Sequence, residues 1–99
     1  MRIQVYGKKE CNLCKSAQTK VCHFLDRWGI SGTVEVVFMD METEFGAAEG
    51  DFFDVFEMPS VLVMTDDGQV VGRWDGAAPP SEGLKAVLLP PGHAASAAA

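Results

Sequence analysis

Cys11-Asn12-Leu13-Cys14 is the segment whose residue types and spacing speak most directly of chemistry. Two cysteines three apart at the start of a helix lie about one turn from each other, close enough to bridge. A helix start also offers unpaired backbone N–H groups and the positive end of the dipole, both of which favour a thiolate. That lowers the pKa of Cys11 and makes it the nucleophile of a thiol–disulfide exchange. Cys14, one turn further in, would then resolve the mixed disulfide. Lys8, Lys9 and Lys15 surround the pair with positive charge that acts in the same direction. Two other readings stay open. The pair could be half of a zinc site, although zinc wants four ligands and only Cys22, His23 and His93 remain to supply them. It could also be two core cysteines at a coincidental spacing.

Other residues carry weaker signals. Cys22 lies eight helical residues beyond Cys14, about 12 Å along the axis, too far to pair with it. It is expected to be a small buried apolar residue, with a regulatory or intermolecular thiol as the alternative. His23 is expected on the helix surface. Met58-Pro59 opens a strand, where a proline costs no ladder hydrogen bond. A cis bond there would leave the Met58 backbone free to pair with an incoming peptide. Phe52, Phe53 and Phe56 are expected to pack in the core, with an exposed aromatic lip beside the site as the alternative.

The elements that would position these residues follow from periodicity. Arg2 to Tyr6 alternates as a strand, with Ile3 and Val5 on one face, and Gly7 to Glu10 is a turn. From Asn12 to Trp28, Leu13, Ala17, Val21, Phe24 or Leu25, and Trp28 form a helical stripe, which Gly29 and Gly32 end. Thr33 to Met39 reads as a second strand. Residues 41–57 carry Phe45, Ala48, Phe52 and Val55 at helical spacing but are interrupted by Gly50, so one broken or two short helices are expected. Ser60 to Thr65 and Gln69 to Trp74 form a hairpin through Asp66-Asp67-Gly68. Ser81 to Leu89 is a last helix that buries Leu84, Val87 and Leu88. The order β-α-β-α-β-β-α predicts an α/β domain with a four-stranded mixed sheet. A parallel crossover pair and an antiparallel hairpin build the sheet, and helices cover both its faces.

The 99 residues make one small domain, in which about 60–65% of the unfolded surface would be buried. A hydrophobic content of 47% excludes a disordered chain. Size excludes the large barrel, dinucleotide-binding and kinase folds, and three cysteines are too few for a disulfide scaffold. The net charge of −6 argues against nucleic-acid and anionic-membrane partners. It is unevenly spread: residues 1–27 hold 6 basic and 2 acidic side chains, and residues 28–99 hold 2 and 12. No apolar stretch follows the start as in a secretory signal, and the apolar run Ala86–Leu89 is far from a membrane span, so a cytoplasmic protein is expected. The folded unit is placed at residues 1–89, with a disordered tail at 90–99.

Taken together, a strand, Cys11-Asn12-Leu13-Cys14-Lys15, a helix, and Met58-Pro59-Ser60-Val61 before a hairpin resemble the thioredoxin/glutaredoxin superfamily over residues 1–89. The opening Ile3-Gln4-Val5-Tyr6-Gly7-Lys8 is similar to glutaredoxins. However, Asn12-Leu13 stands where they carry Pro-Tyr. Glu10 and Val5 replace the Trp and buried Asp of thioredoxins, so the acid–base assistance of that Asp does not carry over. The hairpin Val61 to Gly72 looks like that of thioredoxins. Gly72-Arg73-Trp74-Asp75-Gly76 departs from the Gly-Gly-x-x-Asp of glutaredoxins, with Asp75 one place early.

The resemblance implies a thioredoxin-like fold, a cis Met58–Pro59 bond and a dithiol–disulfide oxidoreductase acting on protein or small-molecule disulfides. Catalysis would fall to Cys11 and Cys14, thiolate stabilisation to Lys8 and Lys15, and substrate docking to Met58 and Pro59. Lys8, Met58 and Asp75 would be the contacts for glutathione. No metal or organic cofactor would be held permanently. Electrons would come from glutathione or a thioredoxin-reductase-like protein, and the chain would act as a monomer. The alternative is a non-catalytic thiol-based binding or metal-carrier module on the same fold.

Overall fold

Alternation along the first strand sends Ile3 and Val5 to one side and Gln4 and Tyr6 to the other, and all four are buried. Burial on both faces marks a central strand, as befits a sheet with helices on both sides. A computed structural model describes residues 1–89; the tail expected at 90–99 lies outside the described residues. The elements are β1 (Arg2–Gly7), α1 (Asn12–Arg27), β2 (Glu35–Asp40), α2 (Glu44–Phe52), β3 (Ser60–Met64), β4 (Val70–Asp75) and α3 (Ser81–Leu88). They form one four-stranded sheet in the order β2-β1-β3-β4. β1 runs parallel to β2 and antiparallel to β3, and β3 runs antiparallel to β4. The expected α/β order and mixed sheet are therefore present.

Two cores lie on opposite faces of this sheet. Ile3, Val5, Val61 and Val63 meet Val21, Phe24 and Leu25 of α1 and Leu84 and Leu88 of α3. On the other face Tyr6, Met39, Leu62 and Met64 pack with Val55, and half-buried Met41 and Phe53 close the cluster. The Tyr6 hydroxyl donates to Gln4 Oε1 at 2.7 Å inside this second core. Burial, reinforced by the negative charge of Glu49, pushes the Tyr6 phenol up to about 12.

Several boundaries and faces differ from the sequence expectation. The α1 stripe begins at Cys14, whereas Leu13 points outward and is 70% exposed. The second strand begins at Glu35, because Val34 N–H is engaged in a helical-type bond to the Ile30 carbonyl. Residues 41–57 hold a single helix, and its buried residues are Gly46 and Gly50. Those glycines, four apart, form the face turned to the sheet, so Phe45 and Phe52 fall on the solvent side. A β-carbon at Gly46 would come within 1.9 Å of the Asp40 carbonyl oxygen, so only glycine lets α2 sit this close to the end of β2. The hairpin turn is as expected, with Gly68 at φ +91° and a register shift at Val63/Met64.

Candidate active site

Cys11 occupies the N-cap of α1, with extended backbone angles, and its sulfur accepts the Cys14 N–H at 3.1 Å. The sulfur thus occupies the position that Ser, Thr or Asp commonly fills at a helix start. No acidic residue falls in the first turn of α1. Cys11 and Cys14 are joined as a disulfide, with Cα atoms 5.2 Å apart. Their surroundings differ: Cys11 is half-buried and Cys14 is fully buried. The Cys11 N–H donates to the Lys8 carbonyl and its own carbonyl accepts from Lys15, so the turn and the helix hold the pair from both sides.

Gly7, the last residue of β1, makes room for the inner cysteine. A β-carbon there would lie 2.6 Å from both Cys14 Cβ and Cys14 Sγ. Gly7, expected in a turn, belongs to the strand; a glycine at the junction of a strand and a Cys-x-x-Cys helix is the sequence signal for this close approach.

The Met58–Pro59 bond is cis, as the resemblance implied, and Pro59 is fully buried at the head of β3. Its carbonyl accepts the Gly76 N–H at 2.8 Å, while neither backbone group of Met58 takes a backbone partner among the described residues. A cleft of about 250 Å³ is lined by Leu13, Ala17, Lys20, Pro59, Ala77 and Ala78, so one of the two residues between the cysteines shares a depression with the proline. A second groove, about 240 Å³, lies among Asp54, Phe56, Glu57, Arg73 and Asp75.

The remaining candidates are placed as follows. Lys8, Lys9 and Lys15 are exposed around the pair. Asp75 accepts the Arg73 Nε–H at 2.9 and 3.1 Å and the Ser60 hydroxyl at 3.0 Å. The Arg73 guanidinium, helped by Ser60, holds the Asp75 carboxyl below the usual carboxylate range against the opposing effect of burial. Cys22 corrects the sequence expectation: it is an exposed free thiol, one step off the buried stripe of Val21, Phe24 and Leu25. His23 is exposed, as expected. Phe52 and Phe56, expected in the core, are 77% and 82% exposed, while Phe53 is half-buried. Hydrophobicity had suggested core positions for them, but glycines fill the inner face of α2 and leave no seat for Phe52.

No protein-family model and no curated protein matches the chain. Solved structures do. The chain is similar to thioredoxin-2 of the malaria parasite, with a TM-score of 0.68 and 16% identity over 88% of this chain and 79% of that one. It is similar to mitochondrial thioredoxin 3 from Saccharomyces cerevisiae, at 0.65 and 21% over 88% and 76%. A third likeness, at 0.64 and 20% over 88% and 76%, is to a structure addressing the thiol-resolving mechanism of yeast mitochondrial 1-Cys peroxiredoxin via glutathione/thioredoxin systems. At these identities the likeness is one of fold. The chain has the thioredoxin-like fold, with a Cys-x-x-Cys pair at the start of its first helix.

Proposed function

We propose that the chain is a dithiol–disulfide oxidoreductase that reduces disulfide-bearing protein substrates. The observation that carries this reading is the N-cap position of Cys11, whose sulfur accepts the Cys14 N–H while Cys14 itself is buried. A thiolate at that cap gains the N–H bond and the helix dipole, and the exposed Lys8 and Lys15 add favourable charge.

In the forward direction the Cys11 thiolate attacks one sulfur of the substrate disulfide. The other substrate sulfur leaves as a thiolate and takes a proton from solvent. Cys14 then loses its proton and attacks Cys11, releasing the second substrate thiol and closing the Cys11–Cys14 disulfide. Two electrons pass to the substrate. Met58 and Pro59 shape the docking site, where the free Met58 backbone suits an extended peptide. A donor must then reopen the pair. The carboxylate oxygens of Asp75 are already engaged by Arg73 and Ser60, which favours a reductase-like protein over glutathione. The reading includes no resident metal or organic cofactor, a monomeric chain and a reducing compartment such as the cytoplasm. No helix among the described residues is long and apolar enough to cross a membrane.

The test is reduction of insulin driven by dithiothreitol. Cys11→Ser abolishes the acceleration, and Cys14→Ser, reduced and freed of dithiothreitol before mixing with insulin, accumulates a mixed disulfide visible by mass. A Cys11→Ser variant with full activity would sink the mechanism, and so would zinc bound to the reduced pair of an inactive protein.

A further inference from the structure

We propose that Arg73 is a positioning residue: it fixes the segment that leads into Met58–Pro59 and thereby favours protein disulfides over small ones. The inference rests on the oxidoreductase reading above. Arg73 and Asp75 project from the same face of edge strand β4, two residues apart. From there the guanidinium uses all three of its nitrogens. Nε donates to both oxygens of Asp75, one terminal nitrogen donates to the Phe53 carbonyl, and the other donates to the Asp54 carbonyl at 2.7 Å. Asp54 has φ +55°, the left-handed region, so the two carbonyls flank an unfavourable turn just after α2.

The far end of the same segment is tied to the same strand. The Ser60 hydroxyl is shared between the Glu57 carbonyl at 2.6 Å and Asp75 Oδ1 at 3.0 Å, and Gly76 N–H reaches the Pro59 carbonyl. Residues 53–60 are thus pinned to β4 at both ends, with Arg73 and Asp75 as linked anchors. Between the pins stand exposed Phe56 and Glu57, then Met58 and Pro59 beside the redox pair. An extended protein substrate would have to meet this lip, whereas a small disulfide needs only the sulfur of Cys11. The chemistry requires arginine. A planar guanidinium presents donors in three directions, and an ammonium on a flexible stem cannot reproduce that fork. Arg73 is a surface residue, so its loss should loosen the lip without unfolding the domain.

The test compares wild type, Arg73→Met and Arg73→Lys in the full chain. Insulin serves as the protein disulfide and 5,5′-dithiobis(2-nitrobenzoate) as the small one. Amide hydrogen exchange across residues 53–58 is read in parallel. Arg73→Met should raise KM for insulin on the order of tenfold, with kcat and the small-disulfide rate within about twofold. Exchange at 53–58 should accelerate by roughly the same factor, with little change in Tm. Arg73→Lys should stay close to Arg73→Met. Equal losses on both substrates, unchanged exchange, or full rescue by lysine would overturn the proposal. An inactive wild type would instead refute the oxidoreductase reading, and exchange alone would then decide whether Arg73 is a tether.

Discussion

Gly7 ends β1 against Cys14, and the absence of a side chain there is what admits the inner sulfur. Gly7→Ala would bring a methyl group to 2.6 Å from two atoms of a buried, bridged cysteine that has nowhere to move. The expected outcome is a loss of about 1–3 kcal/mol in urea unfolding of the oxidised chain. Gly32→Ala, where nothing lies within 4 Å, should change it little. An unchanged midpoint for Gly7→Ala would mean that the strand end yields. The Cys11/Cys14 pair was legible in the sequence because its meaning lies in local spacing, and the cis Met58–Pro59 bond through the resemblance. Arg73 was not. Its partners are a strand neighbour and two main-chain carbonyls 19 and 20 residues away, and a carbonyl has no residue type to betray it.

At the scale of elements, β1 and α1 could be read from apolar periodicity, and the hairpin from its Asp66-Asp67-Gly68 turn. α2 could not, because its inner face is made of Gly46 and Gly50 and its phenylalanines face water. Hydrophobic patterning has no symbol for a helix that buries its backbone. The two glycines should respond differently to alanine. A methyl at Gly46 collides with the Asp40 main chain at 1.9 Å, and this should cost roughly 2–4 kcal/mol. At Gly50 the contact is the mobile end of Met41, so its displacement should be largely offset by a helix-propensity gain of about 1 kcal/mol. Denaturation midpoints for the two variants check this directly. Equal losses would show that α2 is not seated on β2 through Gly46.

For the molecule as a whole, the uneven charge along the sequence is visible in the grooves near Pro59. Lys20 lines the cleft that holds Pro59, while Asp54, Glu57 and Asp75 line the second groove together with Arg73. Tyr6, buried in the second core of the sheet with Met39, Leu62 and Met64, offers a report on global integrity. Its phenol is raised to about 12, against about 10 in an unfolded chain. Its contribution to stability is therefore complete below pH ~10 and is lost as the pH rises through about 12. Tyr6 is the sole tyrosine, so tyrosinate absorbance should rise near pH 12. A midpoint near 10 in a chain still folded by circular dichroism would refute this. Cys22 has a consequence of another kind. With Cys11 and Cys14 bridged, it is the one free thiol of the three cysteines, and it is exposed. An alkylating agent should therefore add a single adduct to the oxidised chain, and further adducts only once the bridge is opened. The mass of the intact chain then becomes a counter of electrons held, readable with no substrate or donor present.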